Sequence, residues 1–320
     1  MVALAGARVP DYNGRMRHRG ICLSLLTAVL LWSGGCTRLP NFTETPLNPA
    51  TFGELQRYLL GRQPDLEVFR ARGPFVVTRQ DDQEIRLSAT HTVNADMFFA
   101  GHAEKTPLVI YLHGYEATKG EHAYQAMHTA SWGMHSLTLQ LPNTGPWVNN
   151  GRMLAGLVNA IQRHPELVAH RADVDRIILV GHSFGATAVA VALAEQARAA
   201  GGILLDPAGI GRNLPKYLQQ IRVPVLVLGA DERVVTARYR DYFYRYVRRD
   251  IAEVSVTDAT HEDAQFPADD AGATEALQIT FASAITAGAF SIALTRRFDY
   301  AWASFQADLK NGKLFDGKKK

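Results

Sequence analysis

The chain predicts an α/β fold in which a mostly parallel central sheet is covered by helices on both faces. Three observations carry that expectation. From about residue 75 onward, short apolar runs of strand length alternate with stretches of helical periodicity. The links between them are short, which favours right-handed crossovers between parallel strands. Near the middle, Gly181-His182-Ser183-Phe184-Gly185 separates an apolar run from an Ala-rich segment, as a sharp strand-to-helix turn would.

The elements follow in chain order. Residues 75–78 and 85–93 read as two early strands, and 108–112 as a compact buried one. A helix is expected over 122–132 and a strand over 136–141. Residues 151–164 place Met153, Leu154, Leu157, Val158 and Ile161 on one helical stripe. The strand 176–180 leads into the Ala-rich helix, which runs to about residue 200. Strands are expected at 202–205, 223–228 and 253–256, with a helix over 237–247 between the last two. A final helical region runs from about 272 to 294, broken at Gly288. In such sheets the reactive groups gather beyond the carboxyl ends of the strands.

The first 35 residues read differently. Arg15, Arg17 and Arg19 precede a twelve-residue apolar run from Ile21 to Trp32, followed by Ser33-Gly34-Gly35 and Cys36. A basic segment, a short apolar segment and a small-residue site make a secretory signal, with Met16 as an alternative start. The run falls short of the roughly 20 residues a membrane span needs. Cys22 lies inside the apolar run, so removing the leader leaves Cys36 as the single cysteine, at the cleavage point. The segment resembles a bacterial lipoprotein signal, although Ser33 stands where Leu is usual. That resemblance implies lipidation of Cys36 and membrane attachment on the periplasmic side of the cell envelope. Plain secretion and an uncleaved anchor are the alternatives. Residues 36–50 are polar and Pro-rich and read as a tether, leaving 51–320 as a single domain.

Composition narrows the function. The 320 residues are 47% hydrophobic and 20% charged, ordinary for a globular chain. The net charge of +3 resides entirely in residues 1–35, with four Arg and one Asp, so the remainder is neutral. That argues against a nucleic-acid partner. The stretch from Arg238 to Arg249, interleaved with aromatics, reads as an amphipathic helix rather than a nucleic-acid stripe. His122 and His128 are six apart, poorly placed for one helical face, and are expected to be solvated. No H-E-x-x-H, paired C-x-x-C or phosphate-cradling Gly-rich loop is present, so no metal site is expected.

The residues that point to chemistry lie at strand ends. Ser183 occupies G-x-S-x-G between a strand and a helix, the setting of an exposed nucleophile. His113-Gly114-Tyr115 closes the strand at 108–112. Asp206 follows the strand 202–205 in Leu205-Asp206-Pro207, and Asp231 and Glu232 follow 223–228. His261 follows 253–256 in Thr260-His261-Glu262 and is the only histidine downstream of Ser183.

Together these segments resemble the α/β-hydrolase superfamily over about residues 75–290. Within it they resemble the branch of chlorophyllases, platelet-activating-factor acetylhydrolases and cutinase-like polyesterases. The resemblance implies the α/β-hydrolase fold, a serine esterase acting on a small-molecule or lipid ester, and no metal or organic cofactor. It implies Ser183 as nucleophile and His261 as base. It points to Asp206 as the acid, with Asp231 or Glu232 as the alternative. At the second site the acid usually stands three or four residues after the Gly, and Asp231 is one residue early. It implies the backbone N–H groups of Tyr115 and Phe184 as oxyanion donors, with His113 orienting the loop. The short interval 207–222 leaves no room for a large lid, and Trp147 and Tyr217 are candidate walls of an acyl pocket beside Phe184 and Tyr115. An acyltransferase or peptidase on the same three residues, or a non-catalytic envelope-binding lipoprotein, are the competing readings.

Overall fold

The computed structural model describes residues 42–87, 91–102, 104–141, 147–168, 172–209, 211–231, 237–268 and 274–320, the side chains of 237–239 aside. The expected leader 1–35, Cys36, the first residues of the expected tether and Glu232 lie outside them. Phe42–Ala50, expected as tether, instead lies against the domain: Phe42 stacks on His128 at 4.6 Å, and Thr45 N–H donates to the Arg72 carbonyl. The apolar Phe42 and Leu47 have a hydrophobic surface to cover, which a composition reading of a polar, Pro-rich segment overlooks.

Among the described residues nine strands form one sheet: β1 Val77–Arg86, β2 Thr92–Ala100, β3 Thr106–Leu112, β4 His135–Gln140, β5 Ala172–His182, β6 Gly201–Leu205, β7 Val225–Gly229, β8 Ile251–Val256 and β9 Leu314–Lys319. Their order is β1-β2-β4-β3-β5-β6-β7-β8-β9. The six strands from β4 across to β8 are parallel, and β1, β2 and β9 are antiparallel at the two edges. The helices are α1 Phe52–Leu60, α2 Ala123–Ser131, α3 Trp147–Arg163, α4 Phe184–Ala194, α5 Leu214–Leu218, α6 Ala237–Tyr246, α7 Glu275–Thr295, α8 Asp299–Ser304 and α9 Gln306–Asn311.

Strand alternation sends side chains to two cores. Leu108, Ile110 and Leu112 of β3 join Ile177 and Leu179 of β5 beneath α3 and α4. Val109, Tyr111, Ile178 and Val180 face α2 and α7. Being buried on both faces, these strands read as continuous apolar runs, which is why they stand out in the sequence.

The differences from expectation lie at the edges. The single strand expected over 85–93 is folded back on itself: Ile85, near the end of β1, pairs with Val93 at the start of β2. Most of β1 is polar and exposed, so an alternation reading takes it for a loop. The same holds for β9, whose Lys318 pairs with Glu253 of β8 at 3.2 Å. The helix α1 was not expected; Thr51 caps it by accepting from Glu54 N–H at 3.1 Å, and Phe52, Leu55 and Leu59 are buried. The break expected at Gly288 is absent. Helix α7 runs through it, because a side chain there would meet Leu226 at 2.8 Å, and glycine lets the helix approach the sheet closely.

His122 and His128, expected to be solvated, are both buried. His128 Nε2 donates to the Phe69 carbonyl at 2.8 Å, and His122 Nδ1 bonds Gln125 Oε1 at 2.6 Å. Spacing on one helix did not decide their exposure, because α2 is enclosed by neighbouring elements. Burial pushes both imidazoles from 6.5 down to about 4. The unfolded chain protonates them near pH 6.5 while the folded chain resists, so their contribution is intact above pH 6.5 and is lost as pH falls towards 4. By pH 5 the loss is about 2 kcal/mol for each fully buried ring. Thermal melts from pH 7.5 to 4.5 are expected to show a falling Tm in the wild type and a shallower fall in His128→Gln. Parallel curves for the two proteins would contradict this account.

Candidate active site

The turn after β5 is built around close backbone approach. A side chain at Gly181 would lie 2.5 Å from the Gly185 carbonyl oxygen, and one at Gly185 would lie 2.3 Å from that of His113. Glycine is therefore required on both sides of Ser183, and the loop after β3 packs directly on the turn. Ser183 itself has φ 54° and ψ −120°, a strained geometry for a residue with a side chain. Backbone bonds tie it to the next strand: Ser183 N–H donates to the Leu205 carbonyl, and Ala208 N–H to the Ser183 carbonyl. The turn opens directly into α4, whose first N–H groups, Phe184 among them, have no acceptor within the helix.

Asp206 stands at the carboxyl end of β6, one strand over, with φ 33°. Its N–H donates to the Leu228 carbonyl at 2.8 Å, and its carboxylate is almost fully buried. Oδ1 accepts from Ala230 N–H at 3.2 Å, and Oδ2 lies 2.5 Å from His261 Nδ1. With Nδ1–H donating to the carboxylate, the lone pair of His261 is left on Nε2.

The loop after β8 holds His261 in three ways. Asp263, fully buried, accepts from Thr260 N–H and from its hydroxyl, both at 2.8 Å, and from Thr274 N–H at 2.6 Å. His182 Nε2–H donates to the His261 carbonyl at 3.0 Å, with the two rings 4.3 Å apart. Gln125 Nε2 donates to the Ala264 carbonyl at 2.9 Å. Burial and the neighbouring imidazoles keep the His182 pKa well below its ordinary value, so it is a neutral donor. None of these supports is legible in the sequence: Asp263 sits in a short polar run, and His182 fills an unspecified position of G-x-S-x-G.

Ser183 and His261 line one cavity of ≈ 370 Å³, together with Gly114, Tyr115, His182 and Phe184. Tyr115 and Phe184, the expected oxyanion donors, thus line the same cavity as Ser183, and their rings stand edge to face at 6.4 Å. His113 is buried; its Nδ1–H donates to the Gly114 carbonyl at 2.8 Å, and Gln140 Nε2 donates to its Nε2 at 2.9 Å. That anchors the loop to β4. The rim carries Glu116, Glu121 and Glu262.

Two expectations are corrected here. Trp147 and Tyr217 do not line the cavity. Trp147 is buried behind Phe184, stacked on it at 5.5 Å, and Tyr217, on α5, is half-buried against the core. An aromatic ring can wall a pocket or join the core, and the apolar surface beside these two claimed them. Asp231 is engaged elsewhere: its Oδ2 accepts from Asp258 N–H at 3.0 Å and its N–H donates to the Ala259 carbonyl at 2.9 Å.

A family model for platelet-activating factor acetylhydrolase, isoform II, matches residues 150–238. That span contains Ser183 and Asp206 and stops short of His261. No curated protein matches the chain. The nine-stranded, mostly parallel sheet with helices on both faces is the α/β-hydrolase fold.

Proposed function

We propose that this protein is a serine hydrolase of carboxylic esters working through an acyl-enzyme. The observation that carries the reading is the Asp206–His261 hydrogen bond at a cavity shared with a strained Ser183. Ser183 Oγ attacks the ester carbonyl while His261 Nε2 takes its proton. Asp206 holds the ring in the required tautomer and stabilises the imidazolium. The oxyanion is met by N–H groups of Tyr115 and Phe184 and by the positive end of α4. His261 then gives its proton to the leaving alcohol and activates water for deacylation. The partial match to the acetylhydrolase family supports an ester, and a lipid ester within that class. A cavity of ≈ 370 Å³ is at the small end for ligand sites, which favours short acyl groups. A fluorophosphonate probe is expected to label the wild-type protein covalently at Ser183 and to block ester turnover. A folded protein that takes up no label is a binding module, and the proposal falls.

The leader supports a second part of the reading, that the enzyme is exported and anchored to an envelope membrane through a lipidated Cys36. The membrane fraction of cells making the full chain is expected to yield an N-terminal peptide beginning at a diacylated Cys36. An unmodified mature terminus seen by mass spectrometry would refute the anchor.

A further inference from the structure

Asp206 has a second charged neighbour, on the side away from His261. Arg240 of α6 lies with Nε 3.7 Å from Asp206 Oδ1, and both side chains are buried. Its Nη1 donates to the Ala230 carbonyl at 2.6 Å and to Ser255 Oγ at 2.7 Å. A side chain at Gly229 would fall 1.7 Å from Nη1, so the guanidinium occupies a notch that only glycine leaves open. Ala230 is thus held twice, its C=O by Arg240 and its N–H by the Asp206 carboxylate. The same cation fixes the peptide that grips the carboxylate and faces the carboxylate itself.

The surrounding charges leave Asp206 as its partner. Glu253, the other buried carboxylate beside Arg240, is paired with Lys318 at 3.2 Å, and Lys318 also reaches Asp241 at 3.4 Å. Asp231 and Asp316 line the small cavity beyond. On the far side, His261 faces Asp206, neutral His182 and the rim residue Glu262.

We propose that Arg240 is a positioning residue for the Asp206–His261 pair, which keeps the carboxylate aimed at the ring and, as a buried cation beside the pair, opposes premature protonation of His261. This rests on the esterase reading above. A cation close to the pair disfavours the imidazolium of the free enzyme, so its removal raises the pH at which His261 takes up a proton. The test is kcat/KM against pH for the wild type, Arg240→Gln and Arg240→Lys, using a p-nitrophenyl ester. Arg240→Gln keeps a hydrogen-bond donor and loses the charge. Its acid limb is expected to move up by about 0.5–1 pH unit, with a plateau about ten-fold lower. Arg240→Lys keeps the charge and is expected to restore the midpoint. A lowered plateau with an unmoved midpoint in Arg240→Gln would make Arg240 merely structural and overturn the proposal. If Arg240→Gln does not fold, Arg240→Lys decides: a midpoint displaced as far as the loss of charge predicts overturns it, and a wild-type midpoint upholds it. The wild type separates this from the parent reading. Turnover and fluorophosphonate labelling with no Arg240 effect sink only the present inference, whereas their absence in the wild type sinks both.

Discussion

Ser183→Ala is expected to lower kcat/KM for ester hydrolysis by about 10⁴- to 10⁶-fold and to eliminate fluorophosphonate labelling. The magnitude follows from the role. Without Oγ no acyl-enzyme forms, and only the oxyanion donors and substrate binding act on direct attack by water. The substitution should leave the fold intact. Ser183 is tied to its surroundings by backbone bonds to Leu205 and Ala208, which alanine retains, and alanine accepts the positive φ no worse than serine. Circular dichroism and the melting temperature should match the wild type. Undiminished turnover by a folded Ser183→Ala protein would remove the mechanism.

Asp206→Asn should cost about 10⁴-fold in kcat, because an amide facing His261 Nδ1 favours the tautomer whose proton sits on Nε2. That ring nitrogen can no longer accept the serine proton. The effect is large because Asp206 is buried and already committed, with one oxygen on His261 Nδ1 and the other on Ala230 N–H. Asp231→Asn, made alongside, should change kcat by no more than about two- or three-fold. Its carboxylate accepts from the Asp258 backbone, and an amide oxygen can do the same. Equal losses in the two variants, or the larger loss at Asp231, would overturn the assignment of the acid. The measurement is initial-rate kinetics at a pH where the wild type is on its plateau.

The parallel strands could be located from sequence because burial on both faces makes them continuously apolar, as at Val109–Ile110–Tyr111. The turn at Ser183 could be located because its constraints are local. Glycine is needed two residues on either side, between a strand and a helix, and all of this lies within one short window. The polar middle of β1 and the whole of β9 could not, because they are largely exposed and what makes them strands is the partner that satisfies their backbone.

The same division runs through the site. The resemblance, applied to strand ends, narrowed the proposed acid to Asp206, Asp231 or Glu232, since each follows a strand of the parallel sheet. They could not choose by geometry, because the direction of a carboxylate depends on local backbone dihedrals and on which groups lie across from it. Folding brings the Asp258 N–H to Asp231 and the His261 ring to Asp206, contacts separated by 27 and 55 positions. Arg240, His182 and Asp263 were invisible for a related reason. A buried cation, a neutral imidazole and a buried carboxylate are tolerable only with partners supplied by other elements. Apolar periodicity and glycine spacing are properties of neighbours along the chain and survive in one dimension, whereas the pairing of buried polar groups exists only once distant strand ends have been brought together.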